Sequence, residues 1–293
     1  MTNGPLAAAL AYILWGIFPL YIKQVAHVNA LEVVAHRSVW SLVFMLGLLL
    51  VLKRFAWLRD ALRQPRVLGV FMLSALLLSA NWLVYVWAVS HERVIDASLG
   101  YFINPLVNVM LGCLVLHERP RVGQWASVAL AAAGVLWLTV GAGQLPWISL
   151  VLAASFGLYG LLRKTATLGA IEGLTLETLV LAPLTVGLLL WFLFFGDGAF
   201  LGGDGATDAW LLLAGPCTAI PLLLFAAGAR RVTLATLGLL QYLGPTIGFL
   251  LGIFVFHEPF DPARGIGFAL IWAGLVVYSG ESLWRLRGSA TAR

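Results

Sequence analysis

Charge is scarce in this chain. Asp, Glu, Lys and Arg make up 11% of its 293 residues, roughly half the share found in an average soluble domain. No carboxylate falls near the middle of any long apolar run, so a proton relay built on a deeply placed Asp or Glu is not evident. Cysteine is limited to Cys113 and Cys217, both inside apolar runs. That excludes a disulfide framework and a thiolate metal site, and both read as packing residues. No phosphate-binding loop of the Gly-Lys-Ser/Thr type occurs, so ATP is not the direct energy source. His117-Glu118 and His257-Glu258 lack the second histidine, four residues on, that a zinc protease helix requires, because those places hold Arg121 and Asp261. Helix-terminal anchoring at an interface explains both pairs better. The first apolar run starts at Leu6 with no basic segment before it, which does not fit a cleavable signal peptide.

What the chain has in excess is apolar surface. Hydrophobic residues reach 61% and mean hydropathy is +0.95, more than a soluble core of this length needs. Ten runs approach the roughly 20 residues that a helix needs to cross a bilayer: 6–25, 33–52, 67–89, 95–116, 122–141, 146–163, 172–195, 209–228, 232–256 and 264–284. The expected fold is therefore an all-α polytopic membrane protein. With the N-terminus inside, the cytoplasmic loops hold 14 basic residues, Arg163 and Lys164 among them, and the other face only Lys23, Arg93 and Arg264. This bias places both termini in the cytoplasm. It also explains the net charge of +5 as a topology signal, with no nucleic acid partner. Trp57, Trp125, Trp147, Trp210 and Trp284 lie near span ends, as an interfacial aromatic belt would.

The chain also repeats itself. Ala97-Ser98-Leu99-Gly100, Pro105, Gly112 and His117-Glu118 return as Ala235-Thr236-Leu237-Gly238, Pro245, Gly252 and His257-Glu258, at an offset of 138 residues at the start and 140 at the end. Weaker echoes pair Trp15-Gly16 with Phe156-Gly157, and Leu31-Glu32 with Leu176-Glu177. Five spans per half is an odd number, so the second half inserts upside down relative to the first. The expected organisation is two inverted five-helix repeats, 1–141 and 142–286, followed by a short cytoplasmic tail, 287–293. Inverted repeats of this kind are the mark of alternating-access transport.

A polar group inside hydrocarbon needs a partner or a water-filled cavity. Arg37 sits about one turn inside the second expected span. It either snorkels outward or pairs with Glu32, or it lines the pathway and holds an acidic or polar group of a substrate. Asn104, Asn108 and Gly112 form an i, i+4, i+8 stripe whose repeat counterparts are Gly244, Gly248 and Gly252. The two stripes are expected to pack on each other or on a mobile neighbour, with the asparagines as interhelical glue or as substrate ligands. Pro105 and Pro245 remove matching backbone hydrogen bonds and are the expected breaks or hinges. Asn81, Trp82, Tyr85, Tyr101, Gln241, Tyr242 and Trp15 would add amide, hydroxyl and aromatic groups to a small-molecule cavity. His36 and Glu177 are the candidate coupling groups. No metal ligands, catalytic residues or cofactor are expected.

Ten spans, this duplication and several sequence blocks resemble the drug/metabolite transporter superfamily, specifically its EamA-like repeat proteins and most closely the RarD family. The blocks are Trp15-Gly16-Ile17-Phe18-Pro19-Leu20-Tyr21, His36-Arg37-Ser38-Val39-Trp40-Ser41, Asn81-Trp82, Ala97–Leu106, Ile220–Phe225 and Gly238–Thr246. The resemblance covers nearly the whole chain. It implies a multi-pass permease of a bacterial cytoplasmic membrane, from a group often labelled by its link to chloramphenicol sensitivity. The function expected is secondary transport of small organic metabolites or amphipathic drugs. A lipid-modifying membrane enzyme would need a cluster of ionisable residues from several loops, and these loops are short. A channel would need a repeated polar or charged ring, which is not seen. Expected partners are a small-molecule substrate and membrane lipids, and a homodimer is left open.

Overall fold

The computed structural model describes residues 4–90, 94–142, 147–255 and 262–290, and no strand occurs among them. Twelve helices follow in order: α1 (Gly4–Gln24), α2 (Ala30–Leu52), α3 (Ala56–Leu62), α4 (Pro65–Ser90), α5 (Val94–Val115), α6 (Val122–Ala142), α7 (Trp147–Thr165), α8 (Ala170–Phe195), α9 (Gly205–Ala229), α10 (Leu234–Gln241), α11 (Leu243–Phe254) and α12 (Pro262–Ala290). Their bounds fall close to the ten expected runs, with two differences. The short α3 lies in the basic segment between the second and third runs, and the ninth run is split into α10 and α11. His257 and Glu258 lie outside the described residues, as do the side chains of Arg93, Ala97–Leu99, Arg264 and Trp284.

Six of these helices are long and apolar enough to cross a membrane: α1, α2, α4, α6, α8 and α9. The apolar stretches of α5 and α12 are shorter. α7 ends in Arg163 and Lys164 and is lined with buried small and polar residues. It lies against α4, α5 and α9, so protein covers much of a surface that would otherwise have to match lipid. Outward-facing side chains such as Leu136, Leu184, Phe194 and Phe195 are more than half exposed. An apolar exterior of this kind suits a hydrocarbon solvent. The protein is an all-α polytopic membrane protein.

The packing is organised in pairs. α6 lies on α12, α5 on α7, α1 and α2 on α9, α2 on α8, α4 on α7 and α8, α1 on α10 and α11, and α5 on α10. Exchanging the first five long helices, in order, for the last five maps these pairs onto one another. The largest apolar core joins Tyr12, Met45, Leu78, Phe156, Tyr159, Leu222 and Phe225, which come from five helices.

Close approach relies on small residues. A Cβ on Gly134 of α6 would stand 2.6 Å from the Gly267 carbonyl oxygen of α12, and one on Gly228 of α9 would stand 2.8 Å from the Ala8 nitrogen of α1. The expected packing of the asparagine stripe on the glycine stripe does not form at Gly244 and Gly248, and the surroundings of Gly252 lie outside the described residues. Gly244 lies near Tyr12 of α1, and among the described residues nothing comes within 4 Å of a Cβ placed on Gly248. The α5–α10 contact instead runs through Gly238, whose added Cβ would meet the Pro105 carbonyl oxygen at 2.8 Å.

The two prolines behave differently. α5 runs through Pro105 without interruption. The other run breaks at Tyr242, whose N–H donates to Leu239 and Leu240, and Pro245 lies in the first turn of α11. Pro245 has no N–H to offer the Gln241 carbonyl four residues back, so the first helix ends there. The start of α10 is fastened from outside by Glu118. Its carboxylate accepts from the Leu234 N–H at 2.8 Å, and Lys164 Nζ stands 3.5 Å away. Gly112 makes room for that carboxylate, because a Cβ there would lie 2.7 Å from Glu118 Oε2.

These contacts set a test of packing. Gly134→Val should lower the stability of the detergent-solubilised protein by about 1–3 kcal/mol through overpacking. Gly187→Ala, with nothing within 4 Å, should not lower it. Thermal unfolding followed by tryptophan fluorescence would distinguish the two variants.

Candidate functional site

Arg37 is buried two turns into α2, only 8% exposed. Its Nε donates to Thr218 Oγ1 of α9 at 3.0 Å. The guanidinium carbon lies 4.7 Å from the Phe18 ring centroid and 4.4 Å from that of Trp82. Tyr21, Tyr85, Tyr101 and Cys217 are its electrostatic neighbours. Aromatic faces carry partial negative charge and offset part of the cost of holding a cation away from water. The snorkelling and Glu32-pairing reading is overturned. Glu32 is committed elsewhere, accepting from the Ala199 N–H at 2.9 and 3.0 Å and the Phe200 N–H at 3.1 Å, which pins the 196–204 loop onto α2.

His36 points to that same loop. Its Nδ1 accepts from Trp40 Nε1 at 2.9 Å, its Nε2 stands 3.9 Å from Glu32 Oε1, and its ring lies 4.7 Å from that of Phe200. With Nδ1 accepting, the neutral imidazole carries its proton on Nε2, toward Glu32. The residue fastens loop to helix.

Glu177 of α8 has a different setting. It is fully buried, and so is its neighbour Arg163. Ser74 Oγ of α4 donates to Glu177 Oε1, and Arg163 Nη1 stands 3.6 Å from the same oxygen. Arg163 Nη2 also donates to the Gly169 and Ala170 carbonyls at 3.4 and 3.2 Å, and its guanidinium carbon is 5.5 Å from the Phe71 ring centroid. Gly173 leaves the space that this head group fills, since a Cβ there would collide with Nη1. The pair is incompletely matched: the Tyr159 hydroxyl faces the Glu177 carboxylate, yet it, Glu177 Oε2 and Arg163 Nε and Nη1 are all buried without a hydrogen bond of good geometry. Two sequence expectations are corrected here. Arg163 is a buried residue of the last turn of α7 and not a loop base, and Glu177, two turns inside α8, is a buried carboxylate where none deeply placed is evident from the sequence.

Between α2, α4, α8 and α9 lies a narrow cavity lined by Ser38, Ser41, Trp82, Glu177, Thr178 and Thr218, with leucines completing the wall. Trp82 and Thr218, which hold Arg37, therefore share a cavity with Glu177. Ser38 Oγ is buried and unpartnered. Ser38 and Ser41 lie three residues apart beside Arg37, a spacing that could have marked this face. Arg163, Ser74 and Thr218 gave no such signal, because only folding brings them to Glu177 and Arg37.

The amides sit elsewhere. Asn81 Nδ2 donates to the Leu152 carbonyl at 2.9 Å and to Ser155 Oγ at 3.0 Å, both on α7. Asn104 Nδ2 donates to the Ala153 carbonyl at 2.7 Å, and Asn108 Nδ2 to Asn104 Oδ1 at 3.0 Å and Gln241 Oε1 at 3.2 Å. These bonds join α4 and α5 to α7, and α5 to α10. The Tyr242 hydroxyl donates to the Phe102 carbonyl at 3.2 Å within a separate core against α12. Trp15 meets Tyr12 and Phe225 at a tilt and Phe156 edge-on, at ring distances of 5.6–5.7 Å. Tyr85 and Tyr101 face each other at 5.9 Å. Of the expected site residues, the structure brings Arg37, Trp82, Tyr85 and Tyr101 together, and puts Asn81, Asn104 and Gln241 into helix contacts.

Apolar spans wrapped around buried charges at a narrow cavity define a polytopic membrane protein with an internal polar site, and comparison with known proteins agrees. Residues 2–140 match the EamA-like transporter family. An uncharacterized transporter of Pseudomonas aeruginosa is 46% identical over 290 residues, covering 97% of this chain and 95% of its own. A protein RarD of Streptomyces exfoliatus is 47% identical over 280 residues, covering 95% and 89%. A solved structure with a TM-score of 0.73 shares the fold at 20% identity, covering 94% of this chain and 96% of that one. The chain belongs to the RarD family of the drug/metabolite transporter superfamily, and it is a membrane transporter.

The Arg163–Glu177 pair gives a prediction. Breaking a buried pair from one side strands a charge, at a cost of about 3–5 kcal/mol. Arg163→Leu should therefore destabilise strongly, and adding Glu177→Gln should restore part of the loss. A double-mutant cycle on thermal unfolding checks the coupling, and additive effects would count against it.

Proposed function

We propose that this protein is a secondary transporter that carries a small organic molecule across a bacterial cytoplasmic membrane by alternating access. The observation that carries the reading is the buried, aromatic-caged Arg37 beside a cavity formed by helices of both halves of the chain. A fixed cation held off water is costly unless it serves a ligand or a moving partner. The exchange symmetry of the helix pairs supports two inverted repeats, 1–141 and 142–286, that rock about the cavity. The excess of basic residues on one set of loops supports a cytoplasmic location for both termini.

In this mechanism Arg37 and Trp82 anchor the substrate, with Tyr85 and Tyr101 beside them. Glu177 is the coupling group. It borders the cavity, has one unpartnered oxygen and can exchange Arg163 for a proton as the helices shift. His36 is the weaker candidate, because both ring nitrogens already face partners at the loop.

Two measurements test this. In a background with Cys113 and Cys217 replaced by alanine, Ser41→Cys should react with a membrane-impermeant maleimide from either face of oriented vesicles, without ionic conductance. Labelling confined to one face rejects alternating access, and conductance indicates a channel. Flux driven by an imposed pH gradient should survive His36→Gln and disappear in Glu177→Gln. The reverse pattern would move the coupling role to His36.

A further inference from the structure

The cation at Arg37 is incompletely used. A guanidinium has five N–H donors, and among the described residues only the Nε–H has an acceptor, Thr218 Oγ1. The terminal nitrogens are not sealed in. Arg163 Nε and Nη1 are buried without partners, whereas Arg37 Nη1 and Nη2 keep accessible surface. The Tyr85 and Tyr101 hydroxyls have no described hydrogen bond and are not sealed either. Three groups with spare donors, from α2, α4 and α5, therefore lie together.

Among the described residues, no carboxylate supplies the missing counter-charge. The side chains that act on Arg37 electrostatically are Tyr21, Tyr101, Tyr85 and Cys217, all neutral at pH 7. The nearest carboxylate along α2, Glu32, is held by the Ala199 and Phe200 N–H groups. Glu177 is held by Ser74 and Arg163. Among the described residues, the Arg37 guanidinium therefore stands in the interior without a counter-charge.

Resting on the transporter reading above, we infer that the substrate is a small organic anion whose carboxylate docks on the Arg37 terminal nitrogens. Tyr85 and Tyr101 add hydroxyl donors, and the Phe18 and Trp82 faces receive an apolar or aromatic body. The planar fork of arginine matches the two oxygens of a carboxylate, and a charge-assisted pair is roughly twice as strong as a neutral hydrogen bond. A neutral amide of the same shape has one oxygen and no charge, and it adds N–H donors where donors are already in excess. The site should therefore separate an acid from its amide sharply. An anionic lipid head group shares part of this chemistry, but the aromatic walls favour a ligand with a ring or chain close behind its carboxylate.

The test uses the full-length protein in phosphatidylcholine nanodiscs at pH 7. Three matched pairs are titrated by calorimetry: benzoate and benzamide, phenylacetate and phenylacetamide, hexanoate and hexanamide. At least one acid should bind roughly tenfold or more tightly than its amide, the scale of one charge-assisted hydrogen bond. Arg37→Gln should abolish that preference, and Arg37→Lys should keep part of it. Tyr85→Phe and Tyr101→Phe should each weaken the acid several-fold and leave the amide unchanged. Phosphatidylglycerol in the nanodisc should not compete with the acid. Equal binding of acid and amide, no binding of any acid, a preference that persists in Arg37→Gln, or displacement by phosphatidylglycerol overturns the proposal. If Arg37→Gln does not fold, the wild-type acid-to-amide ratio and the two tyrosine variants decide the matter. The maleimide experiment needs no ligand, so alternate labelling combined with failure here would remove the anion and leave the transporter.

Discussion

Hydrocarbon offers no hydrogen-bond partners, so each buried polar group of this chain must find one within the protein or face a cavity. That constraint sorts the interior into two kinds of polar group. Asn81 and Asn104 are closed, directing their amide donors to carbonyls of a neighbouring helix, and Asn108 donates to Gln241 while its own oxygen stays unpartnered. Arg37 and Glu177 are open, each with part of its hydrogen-bonding capacity unused beside the same cavity. A closed group holds helices together. An open one costs stability, and in a marginally stable protein such a cost persists where function requires it.

Carboxylates serve three different ends here. Glu32 accepts from N–H groups of the 196–204 loop, and Glu118 accepts from the first N–H groups of α10. Each ties a loop or helix start in one half of the chain to a segment of the other half. Both sit where a negative charge meets unpaired backbone donors, an inexpensive arrangement near an interface. Glu177 has no such donors. It shares one oxygen between Ser74 and Arg163, and the other has no hydrogen bond of good geometry although the Tyr159 hydroxyl faces the carboxylate, so its charge depends on a pairing that a small helix movement would change.

The asymmetry between the halves has a physical reading. The first half of the chain carries Arg37, Trp82, Tyr85 and Tyr101, and the second half carries Glu177, Thr178 and Thr218. The proline pair is also asymmetric. α5 stays helical through Pro105, and the counterpart run breaks before Pro245. Glu118 and Lys164 grip the start of α10, and the break at Tyr242 separates that fixed piece from α11.

Much of the fold was legible because its signals are local. Apolar length marks the long helices, and the recurrence of Gly112 and His117-Glu118 is visible along the chain. Pro245 marked a break that the structure locates at Tyr242. Arg37 stood out because a lone cation in an apolar run is anomalous in any register. The polar roles were less legible. Asn81, Asn104 and Gln241 looked like ligand contacts from composition, yet each meets another helix first. Arg163 looked like a loop base because it ends an apolar run beside Lys164. Sequence by itself determined that the chain lives in a membrane, that it is helical, and that Arg37 needs an explanation, since each follows from the cost of exposing polar groups to lipid. Tertiary structure alone decided which polar groups satisfy one another and which stay open. Hydrogen bonding depends on distances of about 3 Å, and no spacing along the chain specifies such a distance between helices.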